Sequence, residues 1–217
     1  TNNIIEELSI CDDDISDENL QQIFIALEKN TMITKFYLVG IIKEFPKNFN
    51  NTTLKELYID IEIVDTIVDY LEYNPNLTSL ELRSRSNISP QRFFHSLENN
   101  CTLEKLVLRG FHADELISME NVFKLNKNLK VFKYSWYDIN NDVVSKIVNA
   151  LEFNNSLEEI YLSPTDKSFA ITEFKKILET NYTLKYIDGC MDELGHLLTL
   201  ETKAKKTKFL RTKKSVG

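Results

Sequence analysis

Glycine, proline and cysteine are scarce in this sequence, which has five, four and three of them among its 217 residues. The glycines stand singly, so the chain has no glycine-rich loop of the kind that cradles phosphates. The motifs H-E-x-x-H, G-x-S-x-G and C-x-x-C are missing, and His95, His112 and His196 lie on separate segments. The sequence therefore predicts a non-catalytic protein with no cofactor, metal ion or small-molecule substrate.

Long apolar runs are missing as well. No stretch approaches the roughly 18 residues that a helix needs to span a bilayer, and the first residues lack the basic and apolar regions of a secretory signal. Cys11, Cys101 and Cys190 stand far apart and are odd in number, unlike the dense, even set of a disulfide scaffold. We therefore expect a cytoplasmic protein without a transmembrane segment.

Acidic residues outnumber basic ones, 33 to 26, and the formal net charge is −7. The charge is uneven, because residues 201–217 carry seven lysines and arginines against Glu201, a net +6 that leaves −13 for residues 1–200. Clustered lysines bind phosphates in a salt-sensitive way, but the acidic body opposes that binding. We expect nucleic acid or an anionic membrane to bind only weakly, through the basic tail.

A pattern of the form N-x-(T/N/S)-L-x-x-L-x-L recurs along the chain, most clearly at Asn74–Leu82, Asn100–Leu108 and Asn154–Leu162. Looser copies begin at Asn2, Asn30, Asn51, Asn126 and Asn181. The first apolar position of each copy, called the anchor below, is Ile5, Ile33, Leu54, Leu77, Leu103, Leu129, Leu157 or Leu184. Steps of 21 to 28 residues between anchors are typical of a solenoid.

Each unit combines a strand with a helix. The last two apolar positions of a copy, such as Leu106 and Leu108, share one face of a short strand. Upstream lie apolar stripes at helical spacing, as in Val64, Ile67, Val68 and Leu71. The asparagine after each helical segment tolerates a left-handed backbone, so we expect it to turn the chain into the next strand in that conformation.

The recurring unit resembles the leucine-rich repeat family, and specifically its ribonuclease-inhibitor-like branch, whose units have the form A-L-x-x-N-x-T-L-x-x-L-x-L-x-x-N. The resemblance covers about residues 1–189, with two departures. The unit holding Gly40–Asn50 is short and broken by proline, so we expect it to lack a full helix. The family's buried Asn or Cys eight residues past the anchor is also missing, and six of these positions hold Ile41, Glu62, Arg85, Phe111, Tyr137 and Thr165.

This resemblance implies an α/β fold. The expected architecture is a right-handed leucine-rich repeat solenoid, or horseshoe, with a parallel β-sheet on the concave side and helices on the convex side. Residues 1–189 are expected to form the repeat domain of about eight units. Residues 190–217 are expected to form a C-terminal capping helix, over Met191–Leu200, and the basic tail.

In such a fold, residues two, four and six past each anchor face the hollow. The residues four past are Ser9, Tyr37, Tyr58, Glu81, Val107, Lys133, Tyr161 and Asp188. The residues six past are Cys11, Val39, Asp60, Arg83, Arg109, Ser135, Ser163 and Cys190. Because adjacent strands lie about 4.8 Å apart, we expect Tyr37 beside Tyr58 and Arg83 beside Arg109.

Tyrosine and arginine often dominate the binding energy of protein interfaces. Strand tyrosines also suit a pleated face, and arginines can pair with acids such as Glu81, so a purely structural role is the alternative. Trp136 lies one residue past the second row. The predicted partner-binding residues are Tyr37, Tyr58, Glu81, Arg83, Arg109, Lys133, Trp136 and Tyr161.

Protein recognition through the concave sheet, with an unknown partner protein, is the role that the resemblance implies. Regulation of a GTPase or of actin is an alternative, because Asn126–Trp136 is similar to the last repeat of tropomodulin-like actin cappers. A third interpretation makes the chain the recognition arm of a larger enzyme. The bias toward Asn, Ile and Lys is typical of the AT-rich genomes of many protozoa and intracellular bacteria, and it suggests an effector that acts in a host cytoplasm.

Overall fold

An eight-stranded sheet lies at the centre of this computed structural model, which describes residues 5–12, 15–85 and 89–188. All strands are parallel and lie side by side in chain order, and the sheet is open. The strands are β1 (Glu7–Cys11), β2 (Lys35–Glu44), β3 (Glu56–Ile63), β4 (Ser79–Ser84), β5 (Lys105–Arg109), β6 (Val131–Ser135), β7 (Glu159–Tyr161) and β8 (Tyr186–Asp188). The predicted α/β class with a parallel sheet is confirmed.

Helices connect most of the strands. They are α1 (Asp17–Lys29), α2 (Val68–Tyr73), α3 (Gln91–Glu98), α4 (Met119–Leu125), α5 (Asn141–Leu151) and α6 (Lys167–Ile177), with 3₁₀ helices at Val64–Ile67 and Ala113–Ser118. Side chains of Ser16, Asn140 and Asp166 cap α1, α5 and α6 by accepting hydrogen bonds from backbone N–H groups. The expected capping helix and basic tail, in residues 190–217, lie outside the described residues, so the division of the chain stays a prediction.

Alternation along the strands decides which side chains enter the core. In β4, for example, Leu80 and Leu82 are fully buried against the helical layer, while their neighbours are partly exposed. Seven of the eight anchors are buried, each contributing about 1.5–3 kcal/mol to stability. The exception is Ile5, which is 59% exposed because it precedes β1, an edge strand of the sheet.

No helix lies between β2 and β3, as the short proline-broken unit predicted. Phe45 and Phe49 fill the space that a helix occupies in the other units. Both rings pack edge-on against Phe24 of α1, at centroid distances of 5.4 and 5.0 Å, and both lie 5.1 Å from the ring of Tyr70 in α2. Two phenylalanines thus join the helical layers on either side of the gap.

The pairing of β2 with β3 contains a register shift between Leu38 and Ile41. We expected Val39 to lie beside Asp60, but Ile41 is the residue that pairs with Asp60. The bulge contains Gly40, whose Cβ in any other residue would lie 2.0 Å from the carbonyl oxygen of Asp12. Close approach of β2 to the chain after β1 therefore requires glycine and displaces the register by two residues.

The recurring asparagine does not adopt the left-handed conformation that we expected. Asn30, Asn74 and Asn126 end their helices with φ between −67° and −95° and extended ψ values. Their side-chain oxygens instead accept hydrogen bonds from the backbone N–H groups two and three residues further on. This side-chain turn directs the chain into the next strand, so glycine-like freedom is not what the position needs.

The amide nitrogen of the same asparagine links one unit to the unit before it. Asn51 Nδ2 donates to the carbonyl oxygen of Leu27 at 2.6 Å, and Asn154 Nδ2 donates to that of Phe123 at 2.7 Å. Asn126 and Asn181 donate in the same way to Leu97 and Leu151, whereas Asn74 donates to the carbonyl of Asn51, in the unit without a helix. All five donors are buried. Carbonyls near helix C-termini lack partners within the helix, so the bonds to the helix ends satisfy them.

Replacing Asn154 with alanine should lower the free energy of unfolding by about 3 kcal/mol, because two backbone N–H groups and one carbonyl lose their partner in a buried site. Urea denaturation followed by circular dichroism measures the change. Asn155→Ala is the matched control, because the side chain of Asn155, next to Asn154 in the sequence, is exposed. This substitution should change stability by less than about 0.5 kcal/mol. Equal losses in both variants would contradict the role given to Asn154.

Candidate functional site

One face of the sheet is not covered by helices in the part of the chain that the structure describes. Residues two, four and six past the anchors point to this face and are mostly partly exposed, whereas their neighbours in sequence are buried in the core. We call it the open face. All eight predicted partner-binding residues lie on it or at its edge.

The row four past the anchors has the predicted register. Tyr37 pairs with Tyr58, and Tyr58 pairs with Glu81. Val107, next in the row, is buried on the open face, between Glu81 and Lys133. Lys133 then pairs with Tyr161. The eight predicted residues therefore separate into a tyrosine pair on β2 and β3, a central group on β4 to β6, and a lysine–tyrosine pair on β6 and β7.

The tyrosine pair occupies one end of the open face. The rings of Tyr37 and Tyr58 lie 6.4 Å apart and tilted by 30°, and the Tyr37 hydroxyl donates to Glu56 Oε2 at 3.4 Å. Partial burial raises the pKa of both phenols, and acidic neighbours, Glu56 for Tyr37 and Asp60 for Tyr58, add to the shift. Both side chains therefore stay neutral at physiological pH.

The lysine–tyrosine pair lies towards the other end of the sheet. Lys133 Nζ sits 3.9 Å from the centre of the Tyr161 ring, a cation–π contact. The Tyr161 ring also packs 5.1 Å from Tyr186, and its hydroxyl donates to Glu159 Oε2 at 3.0 Å. Burial and this bond to a carboxylate raise the pKa of Tyr161 to about 12.

Arginines and carboxylates pair in the centre of the open face. Arg83 and Arg109 are register neighbours, as predicted. Arg83 Nη1 lies 3.2 Å from Asp60 Oδ2, and Arg109 Nε lies 2.5 Å from Glu81 Oε1. The Asp60 side chain is only 2% exposed, so Arg83 offsets the cost of burying its charge. The pairing that we foresaw as the structural alternative is therefore present, and it orders the two guanidinium groups.

Trp136 lies in the same central group. Its indole lies over Arg83, 4.2 Å from the guanidinium carbon, and the side chain is still 52% exposed. The ring crosses β5 at Gly110, where an added Cβ would lie 3.5 Å from Trp136 Cε3 and 2.3 Å from the Ser84 carbonyl oxygen. Gly110 therefore provides the space through which the tryptophan reaches a strand two positions away.

The backbone of Trp136 is strained. Its φ is +104°, and Gly110, at the same position of the preceding unit, has φ of +72°. A bulky L-residue with positive φ is rare, and such residues cluster at functional sites. A large, half-exposed aromatic side chain thus stands where the preceding unit has a glycine.

Sequence reasoning missed several neighbours of this group. Arg85 Nη2 lies 3.9 Å from Asp60 Oδ2, so the buried carboxylate serves two arginines. Lys105 projects from the open face of β5, two past its anchor. The His112 and Tyr137 rings stack at 5.1 Å just beyond β5 and β6. Their spacing from the anchors marks Arg85, His112 and Tyr137 as strand-end residues, but the structure is needed to show the contact of Arg85 with Asp60 and the stacking of the two rings.

A surface groove of about 460 Å³ lies away from the open face, between the C-terminal ends of α2 and α3. Its lining includes Tyr73, Pro75, His95, Asn99 and Cys101, and none of the eight predicted residues.

Within the described ranges, no three His, Cys, Asp or Glu side chains are grouped to hold a metal ion. The described helices are also too short or too polar to span a bilayer. The open face is therefore the candidate functional site.

No protein-family model matches the chain, and no curated protein matches it. Among solved structures, the chain is similar to the tropomodulin C-terminal domain of Caenorhabditis elegans, with 12% identity and a TM-score of 0.52 over 71% of this chain and 99% of that one. The structure of leiomodin-1 actin-binding site 2 aligns with 22% identity and a TM-score of 0.42 over 69% and 80% of the two chains. The first likeness shows a similar, leucine-rich-repeat-like fold and no more.

Two substitutions of Trp136 separate the strain from the ring contact. Both Trp136→Ala and Trp136→Gly remove the indole, but only glycine adopts a φ of +104° without strain, so the glycine variant should be more stable by about 1 kcal/mol. Thermal and urea unfolding of the two proteins measures the difference. The same pair at Tyr137, which has no positive φ, should show the opposite order, with alanine more stable. Equal stability of the two Trp136 variants would refute the strain.

Proposed function

We propose that this chain is a non-catalytic protein-binding module and that its partner contacts the open face. The observation that carries the proposal is the strained, half-exposed Trp136, held over Arg83 in the centre of a face that also presents Tyr37, Tyr58 and Tyr161. Tryptophan, tyrosine and arginine are the residues most enriched in binding hot spots. Their partial burial and mutual contacts preorganise them, which lowers the entropic cost of binding.

We also propose that the fold is a right-handed leucine-rich repeat solenoid of the ribonuclease-inhibitor-like branch, with the open face on its concave side. Parallel strands in chain order, one per unit, support this architecture. A concave sheet would direct its side chains toward a partner seated in the hollow. A crystal structure of the chain tests the handedness and the curvature directly.

Regulation of actin is the second candidate. Trp136 favours it, because this residue ends the stretch Asn126–Trp136 that is similar to the last repeat of tropomodulin-like actin cappers, and because its ring lies in the centre of the open face. Regulation of a GTPase, a place as the recognition arm of a larger enzyme, and a host-directed effector role in the cytoplasm stay predictions from the sequence.

The test compares partner capture by three proteins. The open-face variant carries Tyr37→Ala, Tyr58→Ala, Arg109→Ala and Trp136→Gly, and it leaves Arg83 in place so that buried Asp60 keeps its partner. The matched control carries Tyr73→Ala, Arg92→Ala, Phe153→Ala and Tyr182→Ala, all at exposed side chains on helices and turns. Circular dichroism and urea unfolding first establish that both variants are folded.

Affinity capture from a eukaryotic cytosolic extract, with mass spectrometry, identifies candidate partners, and co-sedimentation with purified actin tests the named one. We expect a partner that binds the native chain and the control equally and binds the open-face variant at least about tenfold more weakly, since several hot-spot residues are lost. If the open-face variant retains full binding while the control loses it, the partner contacts the helical side and the proposal is wrong. If the native chain does not sediment with actin filaments, the actin candidate alone is rejected.

A further inference from the structure

The centre of the open face is basic, although the chain as a whole is acidic. Strands β4 to β6, with the residue that follows β4, carry five basic side chains on this face, which we call the basic strip: Arg83, Arg85, Lys105, Arg109 and Lys133. The other residues of these strands on that face are Ser79, Glu81, Val107, Val131 and Ser135, of which only Glu81 is charged. The net charge of the whole chain is −7, so the positive charge is local.

Two carboxylates neutralise only part of the strip. Asp60 contacts Arg83 and Arg85, and Glu81 contacts Arg109. Within the described residues, Lys105 and Lys133 form no ion pair within 4.0 Å, and Lys133 lies over the Tyr161 ring instead. Five cations thus meet two anions. Lys130 and Glu104, which directly precede β6 and β5, form an ion pair with each other and therefore add no net charge.

Acidic side chains bound the strip on both sides. Glu62 lies on β3, and Glu159 and Asp188 lie on β7 and β8, whereas Glu56 of β3 is paired with Lys35. Three strands cover about 10 Å, which is the length of about three residues of extended chain. A longer polyanion, such as a nucleic acid or a charged membrane surface, would lie over these flanking carboxylates and be repelled.

Trp136 closes one edge of the strip. Its half-exposed indole lies over Arg83 and next to Gly110, the residue that follows Arg109 at the end of β5. An apolar side chain of a ligand that packs on the indole would exclude water from the guanidinium groups. Exclusion of water strengthens the attraction between guanidinium and carboxylate groups.

We propose that the basic strip binds a short acidic segment of a partner protein, with two or three carboxylates on Lys105, Arg109 and Lys133 and an apolar neighbour on Trp136. This inference rests on the proposed function, because it names the chemistry of the partner that the open face takes. The partner segment is acidic and extended, and it crosses the strands rather than running along them.

Trp136 is the single tryptophan of the chain, so its fluorescence reports on the strip directly. The probe is a short peptide of consecutive glutamates flanked by glycine, serine and one leucine, titrated into the full chain at low salt. Its lysine counterpart and a single-stranded oligonucleotide are titrated in parallel. We expect the glutamate peptide to change the Trp136 emission with saturation, the lysine peptide to have no effect, and added salt to weaken binding.

Two charge-matched variants locate the binding. Lys105→Glu with Lys133→Glu reverses two charges on the strip and should weaken peptide binding at least about tenfold. Lys167→Glu with Lys175→Glu makes the same change in net charge at exposed positions of α6 and should alter it by less than about twofold. Both pairs lie at accessible side chains, and circular dichroism checks that each protein is folded.

Three outcomes overturn the inference. They are no saturable binding of the glutamate peptide at millimolar concentration, equal weakening by the two variants, and an oligonucleotide that binds more tightly than the peptide through the same lysines. The last result would make the strip a nucleic-acid surface. If the open-face variant still loses its captured partner while the peptide fails to bind, the proposed function stands and only the acidic segment is wrong. If the peptide fails to bind and the open-face variant keeps its captured partner, both the inference and the proposed function are wrong.

Discussion

Hydrogen bonds from buried asparagines hold the successive units of this protein together. One side chain does two things at once: its oxygen turns the chain from a helix into the next strand, and its nitrogen satisfies a carbonyl near the end of the preceding helix, as Asn126 does for Leu97. Strands β2 to β8 each begin five residues after an asparagine of this series, so the register of the sheet, and with it the neighbour relations on the open face, depends on these turns.

Much of the fold followed from spacing alone. Anchors, strands and the missing helix after β2 are where the repeat predicts them, because a slip of one residue would turn the apolar side chains of a strand away from the core. The sequence did not predict the structural role of the recurring asparagine. This residue can adopt a left-handed backbone or form a side-chain turn, and only the dihedral angles distinguish the two. The register shift at Gly40 was also hidden, because it depends on the distance of closest approach to the carbonyl of Asp12.

Some features of the candidate site could likewise be predicted from the sequence, and others could not. Tyr37 beside Tyr58 and Arg83 beside Arg109 are consequences of period and strand spacing, and the sequence predicts them. The contact of Trp136 with Arg83 is not, because it spans two strands and depends on a positive φ and on the absence of a side chain at Gly110. Local excess of positive charge is likewise invisible in an acidic composition until the register sorts each side chain onto one face.

Each strand pairs only with the strands of adjacent units, so the units can fold in the order in which they occur in the chain. Five buried asparagines donate to the unit that precedes theirs in the chain, and each described strand pairs only with the strands next to it in sequence. Contacts of this kind form over short sequence separations, which favours fast folding by addition of one unit to the next. A ribosome releasing this chain would present each new unit to a finished neighbour whose helix-end carbonyls are ready to accept it.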